Sequence, residues 1–303
     1  MSTAPANYLD PEVVSRLAGL DLKARMIVEG YVAGRHKSPF HGFSVEFAEH
    51  REYVPGDDLR HVDWKIFGRS DRFYLKQYEE ETNFACHLLL DASESMKYRS
   101  ESVPLDKLEY AKLVSAALAY LVLQQQDAVG VTTFDSDVRA LVRSSSYGSH
   151  FKQICHVLEQ TRPSGESRIG PLLHSMAERI RKRGLILILS DLFDDLTEFR
   201  LGLKHLRHRR HEVIVMQVVD PAEVDFPFQD PTLFKGLEIP REEMIDPRSL
   251  QRAYREEFAA FLREVRGICR DLHVEHVLLK TDADLGQALS GFLSARTSRG
   301  LGG

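Results

Sequence analysis

The chain has 303 residues, 43% of them hydrophobic and 28% charged, a composition typical of a soluble globular protein of one or two domains. Its 40 basic and 45 acidic residues give a formal net charge of −5, so the molecule as a whole does not attract nucleic acid or an acidic membrane surface. No apolar run approaches the roughly 20 residues that span a bilayer, and the first residues lack a secretion signal. We therefore expect a cytoplasmic protein with no nucleic-acid partner and no direct membrane insertion.

The first 83 residues are predicted to form a small module that contains helices and β-strands. Asp10-Pro11-Glu12 is a helix-start pattern, and a second helical run extends over about residues 20–30. From residue 31 the pattern changes to glycines and short alternating stretches such as 43–47 and 73–78, which indicate strands and turns.

One block of this module, Arg51 to Trp64, mixes acidic and basic residues around the single tryptophan of the chain. Two interpretations remain open. The block is either a buried ion-pair network that fixes the module, which we favour, or a surface that contacts a partner.

From residue 84 to residue 296, strands and helices alternate. Apolar runs that predict strands cover residues 85–90, 129–134, 138–142, 185–189, 213–219 and 274–279. Helical patterns cover residues 105–126, 150–160, 171–182, 196–208, 248–271 and 284–295. Fully apolar strands between helices indicate a mainly parallel sheet covered on both faces, so we predict an α/β, Rossmann-like, doubly wound domain.

Two segments depart from this alternation. Residues 220–245, rich in Pro, Asp and Phe, are predicted to be an insertion in the α/β domain, and residues 297–303 a flexible tail of Thr, Ser, Arg, Gly and Leu. The sequence assigns no role to either segment.

A loop with the pattern Asp91-x-Ser93-x-Ser95 directly follows the apolar strand 85–90. In doubly wound sheets, ligands bind beyond the carboxyl ends of the strands, which is where this loop lies. One carboxylate and two hydroxyls present hard oxygens, which suit Mg²⁺ or Mn²⁺. The sequence therefore predicts a site for a hard divalent cation here.

Two further loops on the same predicted edge supply oxygen ligands. Ser167 precedes a helix, and Asp191 follows the apolar strand 185–189. The alternative is that these serines and aspartates only cap turns and helix starts, as such residues often do. We favour convergence of the three loops on one metal site.

These residues resemble the metal-ion-dependent adhesion site of von Willebrand factor A domains. The flanking pattern is similar to a bacterial family catalogued as domain of unknown function fifty-eight, which is usually associated with MoxR-type AAA+ ATPases. The likeness extends from about Gly34 to Leu293. The residues that carry it include Glu46-Phe47, Arg51-x-Tyr53-x-x-Gly56-Asp57-Asp58-x-Arg60-x-x-Asp63-Trp64, Leu88-Leu89-Leu90-Asp91-x-Ser93-x-Ser95-Met96 and Thr281-Asp282-x-Asp284-Leu285.

The resemblance implies a von Willebrand A-like interaction protein that acts with a MoxR-type AAA+ ATPase in chaperone-like maturation of other proteins. It also implies that Ser93 and Ser95 ligate the ion directly, and that Asp91, Ser167 and Asp191 do so directly or through water. An Asp or Glu of a client protein would fill the open position on the ion. Ser167 stands where the family's site usually has Thr, which keeps the hydroxyl.

An enzymatic alternative is a phosphoaspartyl phosphatase of the haloacid dehalogenase type, with Asp91 as nucleophile. That chemistry needs a general acid two residues later, and Ser93 cannot serve as one at neutral pH. No phosphate-binding G-x-x-x-x-G-K-[ST] loop is present, so ATP hydrolysis would come from a partner. We therefore predict an adaptor without enzymatic activity.

Overall fold

The computed structural model describes residues 10–15, 18–35, 50–52, 74–76, 85–237 and 242–290. The chain divides into a small compact unit, residues 39–83, and a large one that comprises residues 1–38 and 84–303. In the small unit, strands β1 (His50–Glu52) and β2 (Tyr74–Lys76) pair antiparallel. The predicted strand 43–47 and the Arg51–Trp64 block beyond residue 52 lie outside the described residues.

The large unit is built on a six-stranded sheet of order β10-β7-β6-β3-β4-β5. Its strands are β3 (Ala85–Asp91), β4 (Ala128–Phe134), β5 (Val138–Ser145), β6 (Leu185–Ser190), β7 (Glu212–Val219) and β10 (Glu275–Lys280). All neighbours run parallel except β4 and β5, which are antiparallel. Every residue of β6 is buried, as expected for a strand covered on both faces. The predicted α/β class with a doubly wound, mainly parallel sheet is confirmed.

One face of the sheet is covered by helices α1 (Pro11–Ser15), α2 (Leu20–Arg35), α3 (Lys107–Gln124) and α4 (His150–Gln160), and by helix α9 (residues 286–290). Apolar residues of α2 at helical spacing, among them Ala24, Ile27 and Tyr31, join the same core as α3. No helix among the described residues is both long and apolar enough to cross a membrane.

The predicted domain boundary groups α1 and α2 with the rest of residues 1–83 in one module, and the structure differs from this prediction. Both helices belong to the large unit, whereas residues 39–83 form the small one. The reason is physical: α3 is buried on nearly all sides, and α2 provides the apolar stripe that covers one of them.

The other face of the sheet is covered by α5 (Ile169–Arg179), α6 (Leu196–His208) and α8 (Pro247–Asp271). Glycines let α5 and α6 approach closely. A Cβ atom on Gly202 would lie 2.7 Å from Cβ of Leu173, and one on Gly170 would lie 2.6 Å from Cβ of Glu198.

The predicted insertion, residues 220–245, contains a short helix, α7 (Pro221–Asp225), and the antiparallel hairpin of β8 (Thr232–Lys235) and β9 (Glu242–Ile245). Aromatic rings hold it against α8. Phe226 stacks on Phe234 with ring centroids 5.7 Å apart and lies 4.5 Å from the ring of Tyr254.

Candidate metal site

The crevice at the carboxyl ends of β3 and β6 is the topological switch point of the sheet. From β3 the chain moves outward to β4 and β5, then returns to place β6 on the opposite side of β3. The loops after β3 and β6 therefore diverge to opposite faces and leave a crevice, which is where doubly wound sheets bind ligands.

The last residue of β3 and the loop that follows it hold the first three predicted site residues. Asp91 and Ser93 are fully buried, and Ser95 is 7% exposed. The backbone N–H of Ser93 donates to Oδ1 of Asp91 at 2.9 Å, and the hydroxyls of Ser93 and Ser95 lie 3.0 Å apart. Three oxygen-bearing side chains therefore converge within one tight turn.

The second predicted loop reaches the same point. The Ser167 hydroxyl donates to Oδ2 of Asp91 at 3.1 Å. Backbone hydrogen bonds join the two loops, because Glu94 N–H donates to the carbonyl of Gly165 at 2.9 Å and Ser164 N–H to that of Ala92 at 2.8 Å. Gly165 has a φ of +67°, a left-handed conformation that glycine adopts without strain.

Ser190, the last residue of β6, is a site residue that the sequence analysis did not select. Its hydroxyl donates to Oδ2 of Asp91 at 2.6 Å and accepts a hydrogen bond from the Leu192 N–H at 2.9 Å. Leu192 has a φ of +63°, which is uncommon for a residue other than glycine and marks a constrained loop. The sequence feature that pointed to Ser190 was its position at the end of a buried strand, next to the predicted ligand Asp191.

Asp191 is fully buried and is held by a cation that the sequence analysis also missed. Lys107 Nζ lies 2.7 Å from Oδ2 of Asp191 and 2.6 Å from Oε1 of Glu223. The other carboxylate oxygen of Asp191 accepts from Phe193 N–H at 3.2 Å. The sequence signal for Lys107 was its position at the start of a helix whose later residues, 113–123, are almost continuously apolar.

The carboxyl groups of this site differ in their surroundings. Burial, followed by repulsion from Asp191, raises the pKa of Asp91, and hydrogen bonds from Ser190 and Ser93 offset only part of this rise. Burial alone would lower the pKa of Lys107, but Asp191 and Glu223 raise it above its ordinary value, so Lys107 is charged. Among the described residues, no cationic side chain is hydrogen-bonded to Asp91.

This donor set fits a hard divalent ion. Its members are Asp91, Ser93, Ser95, Ser167 and Asp191, all of which offer oxygen atoms of the kind that Mg²⁺ and Mn²⁺ prefer. The described part of the chain contains no cluster of three or more His, Cys, Asp or Glu suited to a metal. A metal site here would therefore draw on serine hydroxyls as well as on carboxylates.

The fold and the site define a doubly wound α/β protein with an aspartate- and serine-lined crevice at its switch point. The family model described as "Protein of unknown function DUF58" matches residues 49–267 of the chain. The match covers more than half of the chain, so the protein belongs to this family.

Proteins similar to this chain include the uncharacterized protein Rv1480 of Mycobacterium tuberculosis and the uncharacterized protein Mb1516 of Mycobacterium bovis. Each is 25% identical over 300 residues, covering 97% of this chain and 93% of the relative. Among solved structures, the conserved hypothetical protein BatB of Bacteroides thetaiotaomicron is 16% identical with a TM-score of 0.47, over 71% of this chain and 99% of that one. The vWF domain of the pili tip protein Mfa5 of Porphyromonas gingivalis is 10% identical with a TM-score of 0.36, over 71% of this chain and 94% of that one.

Proposed function

We propose that this protein is a non-enzymatic adaptor of the von Willebrand A type, which binds partner proteins through a divalent ion at the Asp91 crevice. Asp91, Ser93, Ser95, Ser167 and Asp191 would hold the ion, Mg²⁺ or Mn²⁺. When bound, the ion supplies positive charge that attracts a carboxylate of the partner. The partner would be a client protein that offers an Asp or Glu.

One observation carries this proposal. Asp91 is a fully buried carboxylate that hydroxyl and N–H groups surround, with no cationic hydrogen-bond partner among the described side chains. A buried carboxylate without a counter-charge is costly, and a metal ion at this position supplies the missing charge. The hydroxyls of Ser93 and Ser95 lie close enough together to share such an ion.

The surroundings of the crevice suit contact with a second protein. Glu166 and Arg168, which flank Ser167, are exposed and line an open polar cavity of about 510 Å³ together with Ser136, Asp137 and Pro171. Polar, open surfaces of this kind are typical of the rim of a protein interface. This cavity adjoins Ser167, one of the proposed ligands, and is where a partner would approach the site.

We further propose that the adaptor works with a MoxR-type AAA+ ATPase in chaperone-like protein maturation. The support is the sequence resemblance to a family associated with such ATPases, together with the absence of a Walker-type phosphate loop in this chain. Co-elution of the purified protein with a MoxR-type ATPase in size-exclusion chromatography, with and without Mg²⁺, tests this part.

The ion site is tested by calorimetric titration of Mg²⁺ and Mn²⁺ into chelator-treated protein. We expect saturable binding that a Ser93→Ala, Ser95→Ala double variant loses. The matched control is a Ser100→Ala, Ser102→Ala double variant, because those hydroxyls are also two residues apart and 2.9 Å from each other but exposed. Binding that survives in the first variant, or that the control also loses, would overturn the site.

The phosphatase alternative has a separate test. The phosphatase mechanism needs a general acid at the position that Ser93 occupies, and the Ser93 side chain is fully buried and hydrogen-bonded to Ser95. Asp91, the nucleophile in that mechanism, has no exposed surface from which to attack a substrate. We expect no turnover of a generic phosphoester by the wild-type protein. Turnover that Asp91→Asn abolishes would establish the enzyme instead.

A further inference from the structure

A buried lysine lies beside the candidate metal site. Lys107 is fully buried, and its ammonium group is shared between Asp191 Oδ2 at 2.7 Å and Glu223 Oε1 at 2.6 Å. The ring of Phe193, with its centroid 4.8 Å from Nζ, and that of Tyr98, at 5.9 Å, enclose the remaining side. Two carboxylates and two aromatic faces thus fix this positive charge in place.

The Lys107 ammonium group bears on the binding of any second cation in the crevice. Asp191 is the one predicted metal ligand with a counter-ion among the described side chains, and that counter-ion is Lys107. Only the carboxylate group of Asp191 would separate a divalent ion held by Asp91, Ser93 and Asp191 from the ammonium group of Lys107. Repulsion between positive charges at such a distance is weakly screened inside a protein, because salt and water are excluded.

We propose that Lys107 is a built-in cation of this crevice, which competes with a divalent ion for Asp191, limits the affinity for that ion and links the crevice to helix α7 through Glu223. This inference rests on the proposed metal site. Lys107 acts through Asp191 and is not itself a ligand of the ion.

The link to α7 follows from the hydrogen bonds of Glu223. Its second carboxylate oxygen accepts from the backbone N–H of Asp220 at 2.8 Å and so completes the capping box that starts α7. Asp220 also accepts from the Ser100 N–H at 2.9 Å, which ties α7 to the segment that follows the Asp91 loop. Glu223 is therefore connected to Asp191, and so to the crevice, through the shared ammonium group of Lys107.

The decisive experiment compares ion affinity in Lys107→Met, Lys112→Met and wild-type protein by calorimetry with Mg²⁺ and Mn²⁺. Lys112 is the matched control, because it is a second buried lysine of α3, bound instead to Glu109 at 2.6 Å and to the carbonyl of Thr161 at 2.8 Å. Lys107→Met should lower the thermal stability of the metal-free protein, since it leaves the buried carboxylates of Asp191 and Glu223 without their cation. Only Lys107→Met is expected to bind the ion more tightly, by roughly tenfold or more.

The direction of this change in ion affinity distinguishes the proposal from a purely structural role of Lys107. Replacing a lysine that only supports the fold would weaken ion binding. Unchanged or weaker binding in Lys107→Met, with binding intact in wild type, would overturn the inference and leave the metal site standing. Binding in Lys107→Met alone would support the inference and show that the native chain keeps its own ammonium in place of a metal. Binding in neither protein would overturn both proposals.

A second variant keeps the test decisive if Lys107→Met does not fold. Glu223→Gln preserves the shape of the side chain but removes a negative charge, so the Lys107 charge is balanced by Asp191 alone. We expect this variant to bind the ion several-fold more weakly than wild type. Affinity equal to that of wild type would show that Glu223 and Lys107 do not control the site.

Discussion

The hydroxyl of Ser190 donates to Oδ2 of Asp91 at 2.6 Å, and its direction is set by the Leu192 N–H, which donates to the same hydroxyl oxygen at 2.9 Å. The proton of Ser190 is therefore directed at Asp91 rather than into the crevice. This arrangement makes Ser190 a support for Asp91 and distinguishes it from Ser93 and Ser95, which are proposed as ligands.

Replacing Ser190 by Ala should weaken ion binding without removing a ligand. Groups that orient a metal ligand typically contribute about 10- to 100-fold to affinity, and we expect a loss in this range. The measurement is the calorimetric titration with Mg²⁺ and Mn²⁺.

Ser115→Ala is the control for this variant, because the Ser115 hydroxyl is buried in α3 but has no hydrogen-bond partner among the described residues. Its removal should leave ion affinity unchanged. Equal affinities for Ser190→Ala and wild type would show that the hydrogen bond to Asp91 does not position it.

The contact between α5 and α6 gives a prediction about stability. A methyl group on Gly202 would lie 2.7 Å from Cβ of Leu173 and 3.1 Å from the carbonyl oxygen of Gly170, so the two helices must separate to admit it. We expect Gly202→Ala to lower the free energy of unfolding by roughly 1–3 kcal/mol. Urea unfolding followed by circular dichroism measures this change.

Gly267→Ala, within α8, is the opposite case, since nothing lies within 4 Å of an added Cβ there. Alanine stabilises a helix interior by about 1 kcal/mol relative to glycine, so this variant should be slightly more stable than wild type. If both alanine variants shifted stability in the same direction, the close approach of α5 and α6 would be in doubt.

Local sequence patterns were sufficient to predict the sheet and to place the Asp91 loop at its edge. The apolar runs of β3 and β6 mark buried strands, and Asp91 and Asp191 follow these runs directly, so the sequence alone predicts that both lie at one edge of the sheet. The antiparallel orientation of β5 was not predicted, because alternation of apolar residues does not distinguish parallel from antiparallel pairing.

The residues that the sequence did not predict depend on contacts between distant segments. Lys107 is buried because Asp191 and Glu223, 84 and 116 residues later, enclose its ammonium group. The predicted boundary at residue 83 placed α2 in the N-terminal module, whereas α2 packs against α3 and belongs to the large unit. No local pattern reports such pairings, so charge networks and domain boundaries were the least predictable features.

His87 in β3 should make a contribution to stability that is lost in mild acid. Burial, with a smaller contribution from the nearby His211, lowers the pKa of His87 from 6.5 to about 4. Between these two values the unfolded chain binds a proton that the folded protein does not, so stability is lost as the pH falls from 6.5 towards 4. One pKa unit corresponds to about 1.4 kcal/mol, which gives a loss of roughly 3 kcal/mol at pH 4.

Urea unfolding of wild type and of His87→Gln, at intervals from pH 7.5 to pH 4, measures this loss. The variant has no imidazole at this position, so its stability should fall less steeply than that of wild type through the same pH range. His208→Gln is the control, because His208 lies on the exposed end of α6, and its curve should follow that of wild type. Parallel curves for all three proteins would mean that His87 is not kept neutral by its burial in the sheet.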